Sequence, residues 1–262
     1  MATSAAPQLR QRTAFEIIDV SIQVLRRHYA TFIMLVALQN IPSWIVLWLS
    51  GFMTMTSRFT PTTNPASLFN FGALAWFPVT ALWAWIFGGA VVVAASDAYL
   101  EGIVDPGRAL RVTLTRAGSL LLAGILLYVA FFLGVIALIV GVIYVYLRYF
   151  AVVPVLLLED KSAVDSFHRS RDLSEGFKGR IFGTMCLAWI IFWVVAVAFQ
   201  ALFAFVPMAP TARALVNAVV QLFAFPLLSI VLVVLYYDQR VRKDGFDLEH
   251  MARDIAPTPV QA

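Results

Sequence analysis

Long apolar stretches alternate with short polar ones along the chain, and the lengths of the apolar ones predict the elements. Five stretches, 29–57, 59–96, 117–147, 181–212 and 214–237, contain no Asp, Glu, Lys or Arg. A helix needs about 20 apolar residues to cross roughly 30 Å of hydrocarbon, so each stretch is long enough for a crossing. Residues 119–158 as one helix would run about 60 Å at roughly 1.5 Å per residue, twice that thickness. A break near Gly141 is therefore expected, giving two spans joined by a tight external turn. The predicted spans are 30–51, 71–95, 118–139, 142–158, 181–205 and 213–237. A re-entrant segment is the alternative for 142–158, and Pro154 would suit it.

The polar stretches carry helix starts. Thr13-Ala-Phe-Glu16 is a capping box, in which hydroxyl and carboxylate each satisfy an orphan backbone donor. Ser162-Ala-Val-Asp165 has the same form with a shorter acid, and Asp105-Pro106 offers an N-cap with proline at the first helical position. The first short helix puts Phe15, Ile18, Ile22 and Leu25 on one face, a pattern suited to a helix lying in the inner headgroup layer. Each returning span ends in acid, at Asp97, at Glu159 and Asp160, and at Asp238. The order reads as three units, each a short amphipathic helix followed by a hairpin of two spans. The alternative is ordinary hairpin layout with no internal repeat.

Composition agrees with lipid as the solvent. Hydrophobic residues make up 61% of the 262, charged residues 13%, and the mean hydropathy is +0.84. A soluble domain carries roughly 25% charged residues. All of the 19 Lys and Arg except Arg58, Arg148 and Arg213 fall on one side of the predicted spans, with all 15 acids. Such asymmetry marks the rich side as cytoplasmic, so an even number of spans puts both ends inside. The same bias accounts for a pI near 9.4 without invoking nucleic acid as a partner. Residues 1–12 are polar and 13–28 amphipathic, so no cleavable signal is expected and the first span acts as an uncleaved anchor. The single cysteine, Cys186, excludes an intramolecular disulfide and any multi-cysteine metal site.

Candidate chemistry is sparse. Arg148 lies about 10 Å along its span from Gly141, and a charge inside a span is by default a functional-site candidate. It either snorkels to the outer surface or binds an anionic headgroup, since arginine's planar fork suits phosphate. Gln39, Asn40 and Ser43, Gln200, Asn217 and Gln221 are polar positions at comparable or greater depth. Arg148, Gln200, Asn217 and Gln221 would form a headgroup site if they converged; otherwise the amides hydrogen-bond between helices. Gly179-Arg-Ile-Phe-Gly183 has the small-xxx-small spacing that lets helices approach closely. Asp97, Glu159 and Asp238 are expected to pair with neighbouring arginines in a ring at the inner face. There is no H-E-x-x-H, G-x-S-x-G or glycine-rich phosphate loop. His28, His168 and His250 lack partners at motif spacing, so no catalytic residue, metal ligand or cofactor is expected.

Two stretches carry a family resemblance: 148–159, Arg-Tyr-Phe-Ala-Val-Val-Pro-Val-Leu-Leu-Leu-Glu, with Ala163 and 166–176 after it, and 236–249. Both resemble the bacterial membrane-domain family named after glycerophosphoryl diester phosphodiesterase, and the layout of the remaining chain is similar. In the proteins that gave that family its name, catalysis belongs to a separate soluble barrel, to which nothing here is similar. The resemblance thus implies a location and an architecture and no activity. It singles out Arg148, Glu159, Ser170, Gly176, Tyr237, Asp238, Arg240, Arg242, Gly245 and Asp247. The last six are expected to form a juxtamembrane cap, with Gly245 turning Phe246 and Leu248 back to the interface; the alternative is a plain basic anchor on anionic lipid.

The expectation is an all-α polytopic bundle of about six transmembrane helices with amphipathic interfacial helices. It forms one domain over 1–262, with a polar tail at 1–12 and a cytoplasmic tail at 238–262. The expected role is a non-enzymatic scaffold or accessory module of the bacterial cytoplasmic membrane. Its partners would be lipids and either another protein or further copies of itself. A transporter or lipid-handling protein is the alternative.

Overall fold

A computed structural model describes residues 10–57, 71–136, 138–203, 206 and 210–245. The described residues form helices and no strands. In chain order these are α1 (Ala14–Arg27), α2 (Tyr29–Ser57), α3 (Phe71–Leu100), α4 (Pro106–Thr115), α5 (Ala117–Ile136), α6 (Leu138–Arg148), α7 (Val152–Leu158), α8 (Ala163–Ser174), α9 (Lys178–Phe203) and α10 (Pro210–Asp244). Among the described residues, Val79–Leu100, Ala117–Ile136, Val140–Leu158 and Lys178–Phe203 are long and apolar enough to cross a membrane, and Tyr29–Ile45 is a shorter apolar helix. The chain is therefore a helical protein with membrane-spanning character.

The short helices begin where capping chemistry places them. Thr13 accepts from the Glu16 N–H, while the Glu16 carboxylate accepts from the Thr13 N–H, completing the box. Those bonds hold the exposed Glu16 carboxyl below the usual carboxylate range. Asp105 accepts from the Gly107 N–H at 2.8 Å, ahead of Pro106. Ser162 accepts from the Asp165 N–H, but the shorter Asp165 side chain meets the Ser162 hydroxyl at 2.6 Å instead of the backbone. The missing methylene leaves only half of the box.

The first short helix departs from the expected lipid-facing stripe. Its buried side chains are Ile17, Ile18, Ser21 and Val24, packed mainly towards α10 and α9, while Phe15 is 75% exposed. Ile22 and Leu25 are partly buried against the core. The face is chosen by apolar protein beside it. Likewise α4 runs along the end of α3, with Arg108 on Asp97 and Thr113 opposite Gly89.

The bundle has two dissimilar ends. Towards one end α3 is buried almost continuously from Ala90 to Tyr99, and α10 from Ile230 to Val241, wrapped by α1, α4, α7 and α8. Asp97, Ser166, Ser170, Asp238 and Gln239 are buried among them. Elsewhere large apolar side chains face outwards, with Phe132 69% and Leu202 71% exposed amid Leu133, Ile190, Val194 and Val197. Water tolerates no apolar surface of that extent; lipid does.

The helix pair over 117–158 differs from expectation in where it breaks. The first helix ends at Ile136, and Gly141 lies inside α6. A Cβ on Gly134 would lie 3.1 Å from the Gly141 carbonyl, so the two backbones touch where side chains are absent. A second break falls at 149–151. There Ser170 of α8 accepts from the Ala151 N–H at 3.1 Å and donates to the Arg148 carbonyl at 3.2 Å, with Ser174 on the same carbonyl at 3.4 Å. Backbone groups released by the break are thus satisfied from a neighbouring helix. Pro154 sits in the first turn of α7, where its missing N–H costs nothing.

Candidate functional site: the charged end and an aromatic cavity

Successive residues on a helix step about 100°, and the end of α10 uses that step to reach three neighbours. The Tyr236 hydroxyl donates to Glu159 at 2.9 Å. Tyr237 shares a 2.7 Å hydrogen bond with Ser96 of α3 and stacks on Tyr99. Asp238, with a side chain only 1% exposed, accepts from the Arg12 N–H at 2.7 Å, from Arg180 at 3.0 Å and from Arg242 at 2.9 Å. Arg180 and Arg242 also donate to the Arg12 carbonyl, which fixes the segment before α1 against α9 and α10.

The three acids close a circuit. Asp97, at the end of α3, receives Arg108 from α4, which raises the guanidinium's pKa further above its ordinary value. Glu159, after α7, receives Arg169 from α8 at 3.1 Å, with Arg240 at 3.7 Å. Asp238, on α10, receives the backbone before α1. Asp97 and Glu159 thus each hold the short helix that follows in the chain, and Asp238 holds the segment before α1. Arg169 also meets Asp244, and Asp160 meets Arg116.

The positions singled out for a cap fall in this network. Tyr237, Asp238, Arg240 and Arg242 interlock as described, and Gly245 closes α10 with φ +63, a conformation that favours glycine. Gly176, at φ +85, turns α8 into α9 in the same way. Asp247, Phe246 and Leu248 lie outside the described residues.

Gln239 escaped the sequence reading. It is fully buried, and neither atom of its amide has a hydrogen-bond partner in the protein. A buried unpaired polar group costs about 1–3 kcal/mol, whereas an apolar group of the same shape costs none of that. Gln239→Met is therefore expected to raise the thermal midpoint of the detergent-solubilised chain. An unchanged or lowered midpoint would show the amide to be satisfied.

The residues proposed for a headgroup site do not share one place. Arg148 donates to the Tyr144 hydroxyl at 2.6 Å, and Lys178, the first residue of α9, sits 4.4 Å over the Tyr144 ring. Its carbonyl is held by α8, so Arg148 belongs to the charged end and not to the opposite surface. Because α6 is only 11 residues, roughly 16 Å, a residue near its end has already reached the level of α8. Gln200 is exposed and roughly 33 Å along α9 from Lys178. Asn217 and Gln221 lie in the far half of α10, and their side chains lie outside the described residues. In α2, Asn40 bonds the Val36 carbonyl of its own helix at 2.8 Å. Cβ atoms on Gly179 and Gly183 would meet nothing within 4 Å, so among the described residues that pair brings no helix close.

A cavity of about 270 Å³ lies among α3, α5, α6, α7, α9 and α10, partly open. Its walls include Trp85, Phe131, Tyr146, Tyr149, Trp189 and Phe225, with Ser229 the small polar residue among them. Trp85 donates to the Leu120 carbonyl at 2.7 Å, and the rest of the lining is mostly aromatic and aliphatic. Sequence spacing gave no sign of this cavity, because its lining is drawn from six helices.

No family model, curated protein or solved structure matches this chain.

Among the described residues, no three His, Cys, Asp or Glu side chains come together as metal ligands would. His28 caps α1 and His168 lies in α8, so these two histidines sit on separate elements, while His250 is outside the described residues. Asp97, Glu159 and Asp238 make structural pairs with arginines, and the described lining of the apolar cavity contains no Asp, Glu, His or Cys.

Proposed function

We propose that this chain is a non-enzymatic scaffold or accessory module embedded in the bacterial cytoplasmic membrane. It crosses six times, through α2, α3, α5, the α6–α7 pair, α9 and α10, with both ends on the cytoplasmic side. The closed circuit of Asp97, Glu159 and Asp238 carries the reading, because it locks three hairpin units at one end and leaves the buried charges paired. A protein that alternates between open faces needs that end to move. The positive bias of the same end supports its cytoplasmic placement. Similarity to the glycerophosphoryl diester phosphodiesterase membrane domains, which implies architecture and no activity, agrees with it. Transport through a site built from Arg148, Gln200, Asn217 and Gln221 has less support, since Arg148 and Gln200 sit near opposite ends.

Single cysteines in a Cys186→Ala background test the topology. Cysteines at Ala66 and Arg213 are expected to react with a membrane-impermeant maleimide on intact spheroplasts, and cysteines at Arg10 and Lys243 only after permeabilisation. Labelling of position 10 and position 243 from opposite sides would sink the six-span layout. Flux and lipid-scrambling assays in proteoliposomes test the role, with rates at the level of empty vesicles expected. Saturable flux of any solute would overturn the scaffold reading.

A further inference from the structure

The cavity and the two cations beside it share a wall. Tyr149 lines the cavity, and the Arg148 guanidinium carbon lies 5.8 Å from the centre of the Tyr149 ring. Lys178 and Arg148 meet on Tyr144, one residue before the cavity-lining Val145. Neither cation pairs with a carboxylate among the described residues. By contrast Arg108, Arg116, Arg169, Arg180, Arg240 and Arg242, at the same end, each meet an Asp or Glu. The Arg148 Nε is also buried without a hydrogen-bond partner. Two adjacent positive charges, without a counter-charge among the described residues, border an apolar cavity in lipid-facing protein.

We propose that these parts form one site for an anionic phospholipid, with an acyl chain between the aromatic walls and the phosphate on Arg148 and Lys178. The proposal rests on the membrane reading above. Apolar cavities exclude water and accept apolar guests; one of about 150 Å³ takes a benzene-sized molecule, so 270 Å³ takes part of a single chain. The depth fits as well. Along α10 the wall runs from Leu232 to Phe225, roughly 9 to 20 Å beyond Asp238. A chain tethered to a phosphate at the charged end enters that zone directly. Arginine's fork matches phosphate oxygens, lysine adds a point charge, and the two rings hold both cations in place. A zwitterionic lipid carries its own ammonium, which competes with both cations.

The full chain in mild detergent, titrated with phosphatidylglycerol or phosphatidylcholine of identical chains, tests this by native mass spectrometry. Phosphatidylglycerol is expected to bind about tenfold more tightly, as two juxtamembrane cations imply. The Arg148→Gln/Lys178→Gln double variant is expected to bring it to the phosphatidylcholine level, and Arg148→Lys to keep most of the preference. Ser229→Phe fills the cavity, leaves both cations, and is expected to weaken both lipids. A preference that survives the double variant overturns the headgroup site, and full binding by Ser229→Phe overturns the chain site. Gel filtration and helix content separate a lost site from a lost fold. If Ser229→Phe does not fold, tryptophan quenching in the unaltered chain by chain-brominated phosphatidylglycerol decides. Quenching beyond that by brominated phosphatidylcholine is expected, and equal quenching overturns the proposal. Failure of the unaltered chain to fractionate with membranes would instead sink the membrane reading itself.

Discussion

Asp238→Ala is expected to lower the thermal midpoint of the solubilised chain more than any other single change at the charged end. Both carboxylate oxygens are engaged: Oδ1 takes the Arg12 N–H, and Oδ2 takes Arg180 and Arg242. Removing them leaves two partly buried guanidinium groups facing one another and a backbone donor without an acceptor. Breaking a buried pair by deleting one partner costs about 3–5 kcal/mol. Asp238→Asn keeps an acceptor for Arg12 but turns amide donors or a neutral oxygen towards the guanidiniums, so most of the loss is expected to remain. Asp244→Asn is the contrast. Its side chain is 26% exposed and its partners Arg169 and Arg240 retain Glu159, so a cost of about 1 kcal/mol or less is expected. Intrinsic tryptophan fluorescence on heating gives the three midpoints. Equal midpoints for Asp238→Ala and Asp244→Asn would show that Asp238 is not the clasp.

What was legible in the sequence follows the range of the interaction behind it. Caps at Thr13, Asp105 and Ser162 depend on neighbours two or three residues away, and each accepts from an N–H in the first turn of its helix. The long apolar stretches became helices because charge-free runs have no other way to satisfy their backbone in lipid. Ion pairing of Asp97, Glu159 and Asp238 with arginine was readable from charge crowded at one end. Which arginine meets which acid was not, since the Arg180–Asp238 pair spans 58 residues and the backbone contact of Arg12 with Asp238 spans 226. Arg148 was misplaced because depth was counted along one helix from Gly141. The reference that mattered was Ser170 and Ser174 on α8, which hold the Arg148 carbonyl at the charged end. The outward lipid-facing stripe expected of α1 failed for a related reason: its apolar face found protein before it found lipid.

Glycines separate local spacing from three-dimensional packing most cleanly. Gly179 and Gly183 have the spacing associated with close helix contact, yet Cβ atoms there would meet nothing within 4 Å. Gly89 carries no such motif, and a Cβ on it would sit 3.0 Å from Thr113, 3.1 Å from Leu157 and 3.3 Å from Leu120. Those three side chains belong to α4, α7 and α5, so Gly89 is where α3 admits all three helices. Gly89→Leu is expected to cost about 1–3 kcal/mol, or more where the neighbours cannot yield, since three elements must separate to admit it. Gly183→Ala is expected to raise stability by up to about 1 kcal/mol, because it gains helix propensity and meets open space. The same thermal assay reads both. Opposite signs would place the tight helix junction at Gly89. A destabilising Gly183→Ala would return close packing to the 179–183 face, although no described helix of this chain occupies that space.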